Sequence, residues 1–391
     1  MKKSTFLLIS MIASMALANS DTLQSALKDG KFSGDISAFS ETRHINEGQK
    51  SVYYNNTSYI IGSVGLKYES DFYKNFKFVT GFRGTAPLYE KDKNYKTLHG
   101  TGDSTERIYE DDRMMLSNLY LEYNAYDTSV KVGRQEMITD WVGKINDGVR
   151  VTNNSIENLT LDAIWTRAQG RVYMKEMWGF KSINKDNGGL FNLGGTYKFD
   201  NGLGFKAYGL YADEIFSAFG AKIIYDGQVS DELGVGGTIH YAQSDEDKNK
   251  DDGSVFEGLL YAKYLDTKLT LGYVKSGKEI GWGSLNTAGD QIVQFEEGDV
   301  MYERDVKTFY AMLSTSIADL SVTGIFGTTE YKLKGGDDTN YRQNEFSAWL
   351  SYPIMKNLQG LLIYDQVFKA QAGYPSLTQV GVGLDLINDF V

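Results

Sequence analysis

Residues 190–212 read LFNLGGTYKFDNGLGFKAYGLYA, and this stretch decides the fold of the chain. From Phe191 to Phe199, apolar and small residues alternate with polar residues and glycine. A period of two predicts a β-strand with one apolar and one polar face. Asp200-Asn201-Gly202 then has the composition of a tight turn, and a second segment follows at 203–212. The stretch therefore predicts a two-faced β-hairpin.

The same alternation continues along the chain and predicts eighteen strands. The predicted segments are 32–43, 58–69, 74–85, 113–125, 128–136, 147–153, 156–168, 189–199, 203–212, 217–226, 231–243, 255–265, 267–278, 306–316, 319–330, 342–352, 356–369 and 377–390. Connections after even-numbered strands are short, and most of those after odd-numbered strands are longer. Such sorting is typical of a transmembrane antiparallel up-and-down β-barrel, so the fold class is all-β, with sixteen strands as the alternative count.

The polar faces of these strands carry too many charges for a soluble core. These charged positions are Lys67, Lys77, Arg83, Glu122, Lys131, Arg150, Asp162, Lys198, Lys206, Lys222, Glu257, Lys263 and Glu345. The apolar faces place aromatic residues near strand ends, as in the two interfacial girdles of membrane barrels. We therefore predict a wet lumen and a lipid-facing outside, with the long connections 86–112, 169–188 and 279–305 outside the cell.

The composition excludes several other classes of protein. The 391 residues include no Cys and three His, with 40 Lys plus Arg against 51 Asp plus Glu for a net charge of −11. Zero Cys excludes disulfide scaffolds and thiol chemistry. An acidic balance without a basic patch argues against nucleic acid. We found no P-loop, HExxH or dinucleotide motif, so no enzyme, no cofactor and no metal site is expected.

The N-terminus has the order of features that defines a secretory signal peptide. Lys2 and Lys3 precede a short apolar run, and the small residues Ala16 and Ala18 lie at positions −3 and −1 of a cleavage point before Asn19. The expected organisation is a signal peptide at 1–18, a short periplasmic segment at 19–31 and a transmembrane β-barrel at 32–391. Whether residues 19–31 plug the pore or only cap it stays open.

Three passages carry a family resemblance. They are DTLQSALKDGKFSGD at 21–35, VKVGRQ at 130–135 with DGVRV at 147–151, and a last strand with Phe390 near its end. In these passages the chain resembles the OprD-like Opr family of outer-membrane porins of epsilonproteobacteria. The resemblance implies an eighteen-stranded barrel, and the family often favours small anionic or amino-acid-like solutes. Such barrels usually end on an aromatic residue, whereas here Val391 follows Phe390.

The loop between the fifth and sixth predicted strands is unusually apolar. It contains Ile138, Trp141, Val142 and Ile145, although an extracellular loop should be polar unless it is buried. In the porins that the chain resembles, this loop folds into the lumen. We expect the four side chains to anchor the loop against the inner wall. The alternative is that residues 137–146 only extend the two strands above the membrane.

Charged side chains near this loop are candidates for a pore constriction. They are Arg83, Glu122, Lys131, Asp140, Arg150, Asp162 and Lys222. Opposed charges across a narrow passage create a transverse field that orients polar solutes. The alternative is that these charges only keep the pore wet. Arg134 has outward parity, and a bulge would be needed to turn it inward.

These features favour a porin for passive diffusion of small hydrophilic solutes and ions. A channel selective for small carboxylates or amino acids is the alternative, and a barrel adhesin or outer-membrane enzyme is less favoured. The expected location is the Gram-negative outer membrane. The expected partners are its lipid and lipopolysaccharide, the barrel-assembly machinery and small solutes; a homotrimer stays open. Acidic loop stretches at 110–112, 245–247, 251–252 and 337–338 are candidates for divalent cations, with solvated charge as the default.

Overall fold

The computed structural model describes residues 20–390 except 49–54, 94–95, 98–99, 109–112, 185–187, 247–250, 283–291, 293–294 and 298. The expected signal peptide at 1–18 lies outside the described residues. The barrel strands are β1 Lys31–Glu47, β2 Thr57–Glu69, β3 Phe76–Glu90, β4 Met114–Ala125, β5 Thr128–Glu136, β6 Ile145–Ile156, β7 Leu159–Tyr173, β8 Leu190–Lys198, β9 Leu203–Ala212, β10 Phe216–Gln228, β11 Leu233–Glu246, β12 Asp251–Tyr264, β13 Thr267–Ser276, β14 Arg304–Ile317, β15 Leu320–Lys332, β16 Tyr341–Met355, β17 Leu358–Phe368 and β18 Ser376–Phe390.

The eighteen strands form one closed antiparallel barrel, as the alternation predicted. Each strand pairs with its neighbours along the chain, and β1 also pairs with β18, placing Ile36 opposite Leu386. On its other side β1 pairs with β2, with Ile36 opposite Val64. Every predicted segment overlaps one strand, so the count of eighteen is confirmed and the alternative of sixteen is not.

Elements outside the barrel strands are few and short in the described chain. The strand Glu176–Ser182, which the alternation did not predict, pairs with the end of β7. The helix α1 spans Leu23–Lys28, and 3-10 turns span Asp103–Glu106 and Asp299–Tyr302. A two-residue ladder joins Lys96–Thr97 to Gly100–Thr101. No helix among the described residues is both long and apolar enough to cross a membrane.

The connections differ between the two ends of the barrel. One end, here called the short-turn end, has links of two to six residues between strands, such as Tyr126-Asp127 between β4 and β5. Both of these residues have positive φ, at 52° and 53°, as a type I′ hairpin turn requires. The opposite end, the long-loop end, has the longest connections, including 91–113 and 277–303. The predicted sorting of connections is therefore present.

The two faces of the wall have opposite character. On β8 the side chain of Leu193 is 66% exposed, on the outside, where a lipid bilayer surrounds the barrel. On β9 the side chain of Leu210 is only 4% exposed, because it packs against other apolar side chains inside the lumen. The lumen is thus partly filled, and the chain that fills it decides the shape of the pore.

We expect Leu193→Arg to impair folding much more than Thr196→Arg. Arginine near the bilayer midplane on a lipid-facing position costs roughly 2–4 kcal/mol, whereas a lumen position stays hydrated. Thr196 faces Lys206 across the β8–β9 pair and so lies on the lumen side. Heat-modifiable mobility of the two variants in gels measures the folded fraction. Equal folded fractions would contradict the assignment of faces.

Candidate pore constriction

The connection between β5 and β6, residues 137–144, is compact and is called here the first inward loop. Trp141 and Lys144 have positive φ, at 64° and 70°, an uncommon conformation for residues other than glycine. The backbone N–H of Thr139 donates to the carbonyl of Val142 at 2.8 Å. These two features fold the loop back on itself, so its central side chains project from a tight turn.

Trp141 attaches the first inward loop to a part of the lumen wall that lies three to five strands away from β6. Its indole N–H donates to the hydroxyl of Tyr208 on β9 at 2.7 Å, and that hydroxyl lies 2.6 Å from Nε2 of His240 on β11. The Trp141 ring also packs against Trp282, with centroids 4.6 Å apart. Trp141 is fully buried. Because β9 and β11 are not neighbours of β5 and β6, the loop crosses part of the lumen.

Asp140 adds an electrostatic contact beside Trp141. Its carboxylate forms ion pairs with the ammonium groups of Lys206 on β9 and Lys222 on β10. The two lysines are opposite each other in the β9–β10 pair, so without Asp140 two like charges would face each other. Burial acts to raise the pKa of Asp140, but the two ammonium groups outweigh burial and hold that pKa below its ordinary value. The carboxylate therefore stays ionised at neutral pH.

The four expected anchors behave differently. Trp141 and Val142 are fully buried in the apolar cluster of the lumen, as an anchoring position requires. Ile145 is buried as well, but it is the first residue of β6 and belongs to a separate cluster with Met177. Ile138 is 49% exposed, so the expectation that it anchors the loop is wrong. The tight turn directs Trp141 and Val142 to the wall and leaves Ile138 outside the cluster.

The remaining predicted constriction charges form local ion pairs along the wall. The pairs are Arg83 with Asp35 at 2.6 Å, Arg150 with Asp162 at 2.6 Å, and Lys131 with Glu122 at 3.8 Å. In the described part of the chain, none of these six side chains pairs with residues 137–144. The predicted charges thus form three separate pairs, and only the pair of Asp140 with Lys222 involves the first inward loop. Arg134 holds Asp147 at 2.6 Å and stacks 3.4 Å from the ring of Phe180.

Residues 277–303, between β13 and β14, form a second inward loop. Its described apolar residues Trp282, Ile292 and Phe295 are buried in the same cluster as Trp141. The connection 279–305 was predicted to face outside the cell; its described apolar residues fold from the long-loop end into the lumen, and the orientation of that end stays a prediction. The physical reason is that these residues are apolar and find a dry surface only inside the lumen.

The second inward loop also reaches the β1 and β16 side of the lumen. The carboxylate of Glu296 accepts from the indole N–H of Trp349 at 3.2 Å and pairs with Lys175 at 3.1 Å. Lys175 belongs to the turn between β7 and the strand Glu176–Ser182. The backbone N–H of Glu297 donates to Glu345 at 2.9 Å. Two long-loop connections therefore meet inside the barrel.

A series of ion-paired side chains, alternately positive and negative, joins the long-loop connections to β1. We call this series the lumen charge chain. Its successive pairs are Arg171–Glu176 (2.6 Å), Glu176–Arg107 (3.5 Å), Arg107–Glu41 (2.8 Å), Glu41–Arg43 (3.8 Å) and Arg43–Glu297 (3.2 Å). Glu41 and Arg43 come from β1, whereas Arg107 follows the 3-10 turn at Asp103–Glu106. The connections 86–112 and 169–188 thus also send described residues into the lumen.

No sequence pattern predicted the lumen charge chain, but the sequence did contain a feature that indicates the second inward loop. Residues 279–305 contain the large apolar residues Ile280, Trp282, Phe295 and Met301. The same burial argument would have predicted a second inward loop. The individual charges gave no signal, because their pairing depends on which strands meet across the barrel.

The acidic loop stretches do not form a metal site among the described residues, where no group of three or more His, Asp or Glu side chains has a suitable arrangement. Residues 110–112 and 247 lie outside the described residues. Asp338 pairs with Arg304 and Lys332, each at 3.3 Å. Its charge is therefore balanced by protein cations.

Three solved porin structures share this fold. Acinetobacter baumannii OccAB3 has a TM-score of 0.75 at 15% identity, covering 93% of this chain and 100% of that chain. Pseudomonas aeruginosa OccK3 (OpdO) has a TM-score of 0.75 at 14% identity, covering 94% and 98%. Pseudomonas aeruginosa OpdK, solved with vanillate, has a TM-score of 0.72 at 13% identity, covering 93% and 100%. At such identities the likeness supports the barrel architecture alone.

A match to a family model assigns the chain to a protein family, which structural similarity at such low identity does not do. No curated protein sequence matches the chain. The model described as Campylobacter major outer membrane protein matches residues 1–263 of the 391. The expected resemblance to an OprD-like porin is thereby confirmed, and the protein is a porin of the outer membrane. The chain belongs to the Campylobacter major outer membrane protein family.

Proposed function

We propose that small hydrophilic solutes and ions diffuse passively through a lumen that the two inward loops narrow, and that the lumen charge chain is the filter. The observation that carries this proposal is the attachment of the first inward loop by both Trp141 and Asp140. An apolar anchor and a buried ion pair fix the loop in one position, so the passage beside it has a defined width. Transport, rather than catalysis or adhesion, is the role that this arrangement supports.

The charge chain supports a filter for charged groups. Its members alternate in sign and come from five elements of the fold. Arg171 and Arg107 keep exposed side-chain fractions of 28% and 14%, so a permeating ion can contact them, whereas Glu41 is buried and pairs with Arg107. Charges in a narrow, partly dry passage are screened less than charges in bulk solution. A solute can exchange briefly with one member of a pair, which lowers the cost of losing its own water.

A channel selective for small carboxylates or amino acids is the second candidate. Lys175 favours it, because its ammonium group pairs with Glu296 and lies 5.7 Å from the ring centre of Phe39. A cation beside an aromatic ring suits an aromatic carboxylate such as vanillate, the molecule in the OpdK structure. In this reading, a solute carboxylate replaces Glu296 at Lys175 during passage.

The signal peptide at 1–18, a periplasmic short-turn end, the barrel-assembly machinery and a homotrimer stay predictions. The positive start and apolar run of residues 1–18 support secretion. The sorting of short turns and long loops supports the orientation. N-terminal sequencing of the mature protein, impermeant labelling of Cys placed at Asn201 and the native mass test these points.

The variant Trp141→Ala should release the first inward loop. Removing a fully buried Trp costs about 3–5 kcal/mol of packing, here concentrated on the loop, while the hydrogen bonds of the wall remain. We expect larger and noisier single-channel conductance, with a higher size limit for uncharged sugars in vesicle-swelling assays. Ile138→Ala, in the same loop but exposed, should behave like the wild type. Wild-type conductance for folded Trp141→Ala would remove the loop from the constriction.

The variant Lys175→Glu should shift the zero-current potential in a salt gradient toward cations. It changes the charge by two units beside Glu296, where a carboxylate already lies. Lys198→Glu makes the same change at the short-turn end and should shift the potential less, because salt screens the field of a charge beyond about 8 Å. Equal shifts would mean that the charges around Lys175, which adjoins Glu176 of the lumen charge chain, do not set the ion selectivity. If vanillate reduces wild-type conductance and Lys175→Glu abolishes that block, the carboxylate-selective candidate is favoured; no block would reject it.

A further inference from the structure

The helix α1 is held at the rim of the barrel's short-turn end. Its N-terminus is a capping box, in which Thr22 Oγ1 accepts from the N–H of Ser25 and Ser25 Oγ accepts from the N–H of Thr22, at 3.0 and 3.1 Å. A helix of six residues is not stable alone in water. Its conformation therefore depends on what it contacts.

The contacts of this segment are to the turn between β2 and β3. The N–H of Asp71 donates to the carbonyl of Ala26 at 2.9 Å, and the side chain of Ala26 is buried. Just before the helix, the N–H of Ser20 donates to the carbonyl of Phe72 at 2.8 Å, and its hydroxyl donates to Asp71 at 3.0 Å. The barrel thus fixes one side of α1.

Tyr68 shows on which side of the wall the helix lies. Its hydroxyl donates to the carbonyl of Leu27. Tyr68 faces Phe32 across the β1–β2 pair, with ring centroids 4.8 Å apart, and shares its face of β2 with exposed Leu66. That is the lipid face. The C-terminal end of α1 is therefore outside the barrel and not beneath the lumen.

The lumen side of the same strand end has its own partners. Glu69 pairs with Lys67 and with Lys77, the latter at 2.7 Å. Among the residues that the structure describes, no hydrogen bond or ion pair joins α1 to these lumen side chains. A helix that plugged the pore would contact them.

The free side of α1 is apolar. Leu23 and Leu27, four residues apart on one face, are 58% and 46% exposed. Leu27 lies beside the aromatic pair of Tyr68 and Phe32, because the hydroxyl of Tyr68 donates to its carbonyl, and a second aromatic pair, Phe76 with Tyr123, has ring centroids 4.8 Å apart. Phe76 is exposed on the lipid side. The two leucines thus continue the aromatic girdle of the short-turn end.

We propose that α1 is a membrane-surface foot, which inserts Leu23 and Leu27 into the phospholipid headgroup region at the short-turn end and leaves the pore mouth open. Lipid is the occupant that the site indicates, because the leucines are continuous with a face that lipid already covers. Amphipathic segments with exposed leucines lie in this way at the boundary of headgroups and acyl chains. The foot goes beyond transport, since it assigns a lipid-binding role to the N-terminal segment.

Spin labels on introduced Cys residues test the foot, because the chain has no Cys of its own. Labels at Leu27→Cys and Lys28→Cys are compared in phosphatidylcholine vesicles, with Phe32→Cys as the lipid reference and Lys67→Cys as the lumen reference. We expect the label at 27 to collide with oxygen several-fold more than with a water-soluble nickel chelate, as at 32. The label at 28 should prefer the chelate. The proposal would be overturned if the label at residue 27 preferred the nickel chelate, as the label at residue 28 does, or if neither oxygen nor the chelate reached it.

Conductance separates the foot from a plug and from the filter. The double variant Leu23→Asp/Leu27→Asp should keep wild-type single-channel conductance and zero-current potential, because α1 is outside the lumen. A spin label at Lys28→Cys in this double variant should collide with oxygen even less often than the same label in the otherwise wild-type protein, because α1 no longer lies against lipid. A rise in conductance, with folding confirmed by gel mobility, would mean that the helix obstructs the pore and would reject the foot. The Lys175→Glu experiment is independent of this outcome.

Discussion

The closure of β1 on β18 is the constraint on which the rest of the structure depends. In the hydrocarbon of a bilayer, water cannot satisfy backbone N–H and C=O groups, so a sheet that crosses it must have no open edge. The register of this seam runs from Phe32 opposite Phe390 to Glu47 opposite Ser376, with one irregularity near Glu47. Closure fixes which side chains face lipid and which face the lumen. Because the wall is continuous, loops can fold into the lumen only from an end of the barrel, and here they do so from the long-loop end.

The two inward loops narrow the wide lumen that results from closing eighteen strands into a barrel. Eighteen strands enclose a lumen too wide for the wall side chains alone to fill. The two inward loops bring Trp141 and Trp282 together within it, while Asp140 neutralises two lysines that would otherwise repel each other. Packing therefore sets the width of the pore, and the charges that remain along its surface set the electrostatics. Different residues of the same loops therefore set the pore width and the pore electrostatics.

The fold was predictable because period-two alternation is local. All eighteen strands could be located from it, and the apolar composition of residues 137–146 indicated an inward loop. The partners of individual side chains were not predictable, because Asp140 meets Lys206 and Arg107 meets Glu41 only after distant strands close into a barrel. Ile138 and Trp141 have similar polarity, and the positive φ of Trp141 separates their environments. The strand Glu176–Ser182 was not predicted because its residues do not alternate in burial: Glu176 and Met177 are both buried.

The central claim is that the first inward loop is fixed against β10 while the pore conducts. Cross-linking Asp140→Cys to Lys222→Cys with a short bifunctional methanethiosulfonate reagent tests it most directly, because the chain has no other Cys. We expect linked peptides to form in high yield and the single-channel conductance to be the same before and after cross-linking. A lack of cross-linking in the folded protein, or a conductance that changes when the link forms, would contradict it.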